Sequence, residues 1–260
     1  MFTDDELERY ARHIVLREVG GAGQVKLRGA RAVVVGAGGI GVPVLQYLAA
    51  AGVGALTIID DDVVSASNLQ RQVLYGVGDI GSAKALVATR RLFDINPHVV
   101  ATPVTERLDG GNAEALLTGH DVILDGSDSF ATRLAVADAA YRLQIPLVSA
   151  AIGQFHGQIG TWTGWLTDQP CYRCYVGDAF DAEDCDTCAE DGVLGAMTGL
   201  MGSFAALEAI RAIVGFGESA AGKLHVVDGI TPSMRTIRMP KDPGCSTCGT
   251  PNRAEHFRSR

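Results

Sequence analysis

The sequence contains no run of lysine or arginine, no apolar stretch of membrane length, no internal repeat and no proline- or serine-rich linker. Each absence removes a class of function. Binding to nucleic acid or to an anionic membrane surface needs a basic patch, whereas the formal net charge here is -8. The expected partners are therefore small molecules or small proteins, with no nucleic acid and no membrane. The longest uncharged segment, Gly192 to Leu207, is shorter than the ~20 residues a span requires and runs into Glu208 and Arg211, so a buried core helix is expected. The amino terminus, MFTDDELERY, is acidic from Asp4 and lacks the basic-then-apolar layout of a signal peptide, so a cytoplasmic protein is expected. None of the six histidines shows metal-ligand spacing. With no linker to mark a boundary, 260 residues at 47% hydrophobic content read as one domain with a substantial core.

What is present is organised around the stretch from Arg31 to Asp62. Ala32 to Val35 is a short β-branched run of the kind buried in a parallel sheet. Gly36, Gly38 and Gly41 follow at G-x-G-x-x-G spacing, with Gly39 as an extra glycine where the strand should give way to a helix. Glycine permits the sharp turn and lets a phosphate approach the amides of the helix N-terminus. A second apolar strand, Leu56 to Ile59, ends in Asp60, nineteen residues after Gly41, where a dinucleotide fingerprint places the carboxylate that holds a ribose hydroxyl. Strand, turn, helix and acid together predict a nucleotide site.

Before this stretch, Asp4 to Leu16 reads as an amphipathic helix, and Val19 to Gly23 as a glycine-bearing connector. After it, a helix is expected over Ile80 to Asp94, a strand over Val99 to Val104, a helix over Asn112 to Leu117, a strand over Val122 to Leu124 and a helix over Ala131 to Leu143. Pro146 to Ser149 is extended. Beyond residue 150 the alternation in QFHGQIGTWTGW predicts an antiparallel strand pair, followed by the Gly192 to Val214 helix and a strand at Leu224 to Val227. The expected fold class is α/β, a Rossmann-like doubly wound mixed sheet with an N-terminal helical arm.

Asn68, Gln70 and Arg71 fall just beyond the second strand, at the end of a parallel sheet where ligands bind. Arg71 and Lys84 near a phosphate-binding turn would neutralise phosphate oxygens, and Asp128 could hold Mg²⁺ on them. That set suits attack on a triphosphate better than hydride transfer. The cysteines form three C-x-x-C pairs, Cys171/Cys174, Cys185/Cys188 and Cys245/Cys248. Two such pairs make a four-thiolate Zn²⁺ site that clasps the C-terminal part, and spacing alone mildly favours the first two pairs without settling the choice. Gly195, Gly199 and Ser203, four apart on the later apolar helix, would permit close helix contact, at a dimer seam or within one chain.

An ordered series of motifs now stands in the chain: R-Y-x-R at Arg9 to Arg12, G-A-G-G-I-G at Gly36 to Gly41, S-N-L-Q-R-Q at Ser67 to Gln72, G-x-x-K ending at Lys84 and I-N-P at Ile95 to Pro97. D-x-x-D at Asp125 to Asp128, C-Y-R-C at Cys171 to Cys174 and a terminal P-G-C-x-x-C-G complete it. This series resembles the MoeB/ThiF/HesA family of ubiquitin-activating-like adenylyltransferases over essentially the whole chain. The resemblance implies ATP-dependent adenylation of the C-terminal glycine carboxylate of a small ubiquitin-like sulfur-carrier protein of MoaD or ThiS type, one ending in Gly-Gly. It implies that Gly36, Gly38, Gly39, Gly41, Asp60, Ser67, Asn68, Leu69, Gln70, Arg71, Lys84, Asp128 and Ser129 hold Mg-ATP, with Ser129 standing where the family often has Asn. It assigns Cys171, Cys174, Cys245 and Cys248 to zinc, and places Arg12 in the active site of the partner subunit of a homodimer.

Cys188 falls where some relatives carry a thiol that takes the acyl group or sulfur, although seven acids between Asp178 and Asp191 oppose thiolate formation. No rhodanese-like extension follows Gly249, so a separate sulfur donor protein is expected. The expected layout is an arm at 1–29, a nucleotide-binding half at 30–150, a half at 151–249 for carrier, zinc and dimer contacts, and a tail at 250–260. An NAD-dependent oxidoreductase shares Gly36 to Gly41 and Asp60 but leaves Arg71, Lys84 and Asp128 without a role. A catalytically inactive nucleotide- or carrier-binding module draws only on Ser129.

Overall fold

The computed structural model describes residues 2–177 and 192–249. Cys185, Cys188, the whole acidic loop from Asp178 to Asp191 and the tail lie outside the described residues. Eight strands form one sheet in the order β3-β2-β1-β4-β5-β6-β7-β8. β1 (Arg31–Val35), β2 (Ala55–Ile59), β3 (Val100–Val104), β4 (Val122–Asp125) and β5 (Leu147–Gly153) run parallel. β6 (His156–Trp162), β7 (Lys223–Asp228) and β8 (Ser233–Arg238) continue antiparallel. The expected mixed, doubly wound sheet is present.

The pleat of β1 shows why its sequence is apolar throughout. Ala32 and Val34 face one core with Leu45, Leu48, Leu56, Ile58 and Leu92, while Val33 and Val35 face the other with Ile59, Leu117, Ile123 and Val136. The first core is covered by α3 (Gly41–Ala51), α4 (Lys84–Ile95) and α8 (Gly195–Val214), and the second by α5 (Ala113–Leu117), α6 (Phe130–Leu143) and α7 (Tyr172–Val176). α8 is long and apolar enough to cross a membrane, yet Met197, Met201, Ala205 and Ala209 on it are buried against α3 and the sheet, as a core helix requires.

Three local expectations need correction. QFHGQIGTWTGW supplies one strand, β6, whose antiparallel partner is the preceding β5; the hairpin turns at Gln154 and Phe155, with Gln154 in the left-handed region at φ 50°. α4 starts at Lys84 rather than Ile80, because Gly81 has φ +86° and Ala83 is extended. The glycines from Gly20 onward form a helix, α2 (Gly20–Gly29), not a connector. Their weak propensity is overridden by packing: a Cβ on Gly23 would stand 2.9 Å from Val214 Cγ1 and 3.0 Å from Val19 Cγ1.

The arm helix α1 (Asp4–Ile14) opens with a Thr3/Glu6 capping box and ends with Arg12 and His13 against its C-terminal dipole. It is anchored on its own chain. The buried Asn96 amide donates to the Tyr10 hydroxyl at 2.8 Å and to the Ala49 carbonyl at 2.7 Å, and Arg9 donates to the Ile95 carbonyl at 2.9 Å. Any side chain at Gly52 would collide with the Tyr10 ring, 2.5 Å away. α1 therefore sits at the C-terminal ends of α3 and α4.

Candidate functional site

Register brings the carboxyl ends of three strands level. Val35 pairs with Ile59 on one side and with Asp125 on the other, so Gly36, Asp60 and Gly126 leave the sheet side by side. The chain departs β1 toward β2 while β4 lies on the opposite flank, which makes this the topological switch point where such sheets bind ligands.

The glycine turn is built so that only glycine fits. Gly36 has φ +88°, a Cβ on Gly41 would be 1.7 Å from the Gly36 carbonyl oxygen, and one on Gly39 would be 2.9 Å from Thr198 Cγ2. The turn feeds directly into α3, where the Val42 amide donates to the Gly38 carbonyl at 2.9 Å and Pro43 has no N–H; the amides of Gly38, Gly39 and Ile40, just ahead of the helix, are left without a partner among the described residues. Gln72, 3% exposed, stands beside Gly38, and its Oε1 has no hydrogen-bond partner among the described residues. The unpartnered amides of this turn are donors that suit a phosphate, whereas Gln72 Oε1 is an acceptor and suits a donor group of the ligand.

Asp60 is half-buried. Its Oδ2 accepts from the Ala37 amide at 2.7 Å and its Oδ1 from the Asp62 amide at 2.9 Å. Burial raises its pKa above the usual carboxylate value, with Lys84 and the two amides working in the opposite direction. Lys84, 5% exposed, begins α4 and points its Nζ at Asp62 Oδ2, 2.7 Å away. The buried Tyr75 hydroxyl donates to the Ala37 carbonyl at 2.8 Å, and burial beside Asp60 and Asp79 keeps that phenol protonated.

Ser67 to Gln70 lie around a short 3-10 turn at Ala66–Asn68. Asn68 Oδ1 accepts from the Ser65 amide at 3.1 Å, Ser65 and Ser67 hydroxyls are 2.9 Å apart, and Leu69 packs on the core. Half-buried Arg71 donates to the Ser67 carbonyl at 3.1 Å. The segment is pressed from behind by α8. A Cβ on Gly195 would be 2.3 Å from the Gln70 carbonyl oxygen, and one on Gly202 2.3 Å from Pro43 Cγ, so Gly195 serves close packing within the chain.

Asp128 is exposed on the loop between β4 and α6. That loop is pinned by the Gly126 amide on the Val35 carbonyl at 3.0 Å and by the Ser127 amide and hydroxyl on Asp125 Oδ1 at 3.0 and 2.6 Å. Ser129 Oγ caps α6 by accepting from the Thr132 amide at 3.4 Å, a role Ser and Asn fill about equally well. The buried Asp125 and Arg133, 3.6 Å apart, were not among the expected site residues, nor were Tyr75 and Gln72. The first acid of D-x-x-D, at the end of an apolar strand, and an arginine in the first turns of the helix that follows were the signals available in sequence.

Arg12 lies away from this group. It is exposed on α1, beyond the C-terminal ends of α3 and α4, whereas the glycine turn and Lys84 are at their N-terminal ends. Eleven helical residues at ~1.5 Å each separate the two ends by roughly 16 Å.

The sulfurs of Cys171, Cys174, Cys245 and Cys248 all lie within 4.8 Å of one another. Separations of 3.6 Å for Cys171–Cys245, 3.3 Å for Cys174–Cys248 and 3.9 Å for Cys171–Cys174 bracket the edge of about 3.8 Å expected for a tetrahedron with ~2.3 Å zinc–sulfur bonds. Burial pushes the Cys174 thiol up to about 11 and Cys171 upward as well. The pairing that spacing mildly favoured, with Cys185 and Cys188, is not needed to complete a four-sulfur cluster.

The "ThiF family" model matches residues 10–247. The chain is 44% identical over 251 residues to the "Sulfur carrier protein adenylyltransferase" of Thermus thermophilus, covering 95% of this chain and 93% of that protein. It is 40% identical over 247 residues to the "Molybdopterin-synthase adenylyltransferase" of Escherichia coli, covering 95% of this chain and 98% of that one. A solved structure of E. coli MccB superposes with TM-score 0.83 over 96% of this chain and 75% of that one, and at 23% identity this likeness speaks for the fold. Sheet order, strand-end site and a family match that spans the described domain agree, and the chain belongs to the ThiF family.

Proposed function

We propose that this protein is an ATP-dependent adenylyltransferase that joins AMP to the C-terminal glycine carboxylate of a small ubiquitin-like sulfur-carrier protein ending in Gly-Gly, with release of pyrophosphate. The observation that carries the reading is the placement of a buried lysine, a half-buried ribose-class aspartate and an exposed aspartate loop around one glycine turn. The full-length similarity to adenylyltransferases supports it.

In this reading Asp60 holds the ribose, and the amides of Gly38, Gly39 and Ile40 ahead of α3 hold phosphate oxygens, with Gly36 and Gly41 shaping the turn and Ser67 to Gln70 lining the nucleotide. Arg71 and Lys84 neutralise charge as it passes to pyrophosphate, and Asp128 carries Mg²⁺, which supplies further positive charge on the phosphates. The carrier carboxylate is already a nucleophile, so alignment with the α-phosphorus is the main task left to the protein. Cys171, Cys174, Cys245 and Cys248 hold Zn²⁺ and close the C-terminal part. Arg12 is too far from its own strand ends and acts in the site of the second subunit of a homodimer. Sulfur comes from a separate donor protein, Cys188 is left as an unreactive thiol, and the enzyme works in the cytoplasm.

The test is mass spectrometry of a Gly-Gly-ending carrier after incubation with the protein, ATP and Mg²⁺. The carrier should gain one AMP at its C-terminal carboxylate; an unmodified carrier in the presence of bound ATP would contradict the reading.

A further inference from the structure

Arg133 is 8% exposed and has no direct part in the reaction above. A buried guanidinium carries a desolvation cost that only a filled set of partners offsets. Here the partners come from separate segments. Nη1 donates to the Ala150 carbonyl at 3.0 Å, reaches Ser149 Oγ at 3.4 Å and lies 3.6 Å from Asp125 Oδ2. Nη2 donates to the carbonyl of Ser127, the residue just before Asp128. α7, preceded by Cys171 and carrying Cys174, packs beside the helix on which Arg133 stands, with Tyr172 buried in the core that this helix covers.

The helix that carries Arg133 is thus joined to both regions. At its N-terminus Ser129 caps it and ends the Asp128 loop, and further along Asp138 takes Arg173 of α7 through two hydrogen bonds of 2.8 Å. Trp162 reports on the junction, meeting Tyr172 edge-on at 5.7 Å and stacking on Tyr175 at 5.6 Å.

We propose that Arg133 is a positioning residue that fixes the 126–129 loop presenting Asp128, and that its helix, through the Asp138–Arg173 pair, ties that loop to α7, which follows Cys171 and carries Cys174. The planar fork matters, because it reaches the Ser127 carbonyl and the Asp125–Ala150 side at once; a lysine cannot do both. The activity arm of the test rests on the adenylation reading, while the binding arm does not.

In a Trp165→Phe background, where Trp162 is the remaining tryptophan, binding of the non-hydrolysable analogue AMPCPP with Mg²⁺ should change the emission, and Arg133→Lys should abolish that change. In carrier-dependent pyrophosphate exchange, Arg133→Lys should lower kcat by up to about 10²-fold with little change in KM for ATP, the cost of a misplaced group. Combined with Asp128→Ala it should add little further loss, since both act through one loop. Asp138→Asn, which weakens the α6–α7 pair, should keep metal content yet lose exchange severalfold. Unchanged emission response and exchange in Arg133→Lys, or losses that multiply with Asp128→Ala, would overturn the proposal. Full exchange in Asp138→Asn would overturn the link to α7 and its cysteines. If the wild type itself shows no exchange, the functional reading fails, and the AMPCPP response still decides the role of Arg133.

Discussion

Lys84 Nζ stands 2.7 Å from Asp62 Oδ2, with the lysine side chain 6% exposed and the aspartate 64% exposed. The cation is fixed by burial, and its counter-charge is the exposed, solvated partner. A phosphate arriving at the glycine turn can take the place of Asp62 without moving the lysine. Lys84→Ala should therefore reduce adenylation at least about a hundredfold, the ~3 kcal/mol typical of lost transition-state charge stabilisation. Asp62→Asn should cost far less, because an exposed pair contributes little on its own. Steady-state kinetics of the two variants decide the matter, and equal losses would remove the distinction.

Arg71 and Asp128 are reached by a similar argument. Asp128 is exposed and, among the described residues, the Arg71 guanidinium holds only the Ser67 carbonyl within its own turn, so neither stabilises the core. Arg71→Ala and Asp128→Ala should keep the wild-type melting temperature within a few degrees and lose about a hundredfold or more in adenylation. Near-normal rates in either would exclude that residue from the mechanism.

The nucleotide half was legible because its signals are local. Gly36, Gly38, Gly41 and Asp60 are fixed by turn geometry and strand ends, and both follow from spacing. The level register of β1, β2 and β4 is a tertiary fact, so Asp125 and Arg133 could not be seen to support the Asp128 loop. Val19 to Gly23 misled for a related reason: helix propensity there is poor, and part of what makes Gly23 wanted is Val214, far along the chain. The cysteine pairing was likewise a long-range contact that spacing could not decide. β8 escaped notice because all of its residues are exposed, leaving no buried face to pattern the sequence.

Replacing any one of Cys171, Cys174, Cys245 and Cys248 by Ser should bring zinc content near zero and lower the melting temperature, because a four-thiolate site contributes directly to folding. Cys185→Ser should leave one zinc per chain. Metal analysis of purified variants checks this, and loss in Cys185→Ser with retention in Cys245→Ser would show that another cluster forms.

Asp79 offers a prediction in pH. The Gly76 amide, and then Arg91 at 3.0 Å, hold its carboxyl below the usual carboxylate range. A carboxylate with a depressed folded pKa contributes stability above its unfolded value of ~3.9, and the contribution is lost as pH falls through the lower folded value. Asp79→Ala should therefore melt a few degrees below wild type at neutral pH, with the gap narrowing below about pH 4. A gap independent of pH would assign the effect to packing.

Arg12 can be tested by subunit complementation. A two-fold dimer of one Arg12→Ala chain and one Asp128→Ala chain contains one site with both groups intact if the arginine is supplied in trans. Two inactive homodimers that exchange subunits should regain part of the activity, since such an arginine is worth ~10³ or more in related phosphate chemistry. No recovery in verified mixed dimers would rule out action across the interface.

The central claim is that the site activates a carrier carboxylate with ATP, and exchange of labelled pyrophosphate into ATP measures that step in both directions. With Mg²⁺ and a small protein ending in Gly-Gly, label should enter ATP at a rate that falls to background when the carrier is omitted or its last glycine is removed. An NAD-dependent oxidoreductase or an inactive binding module would show no exchange under any of these conditions, and that result would contradict the account.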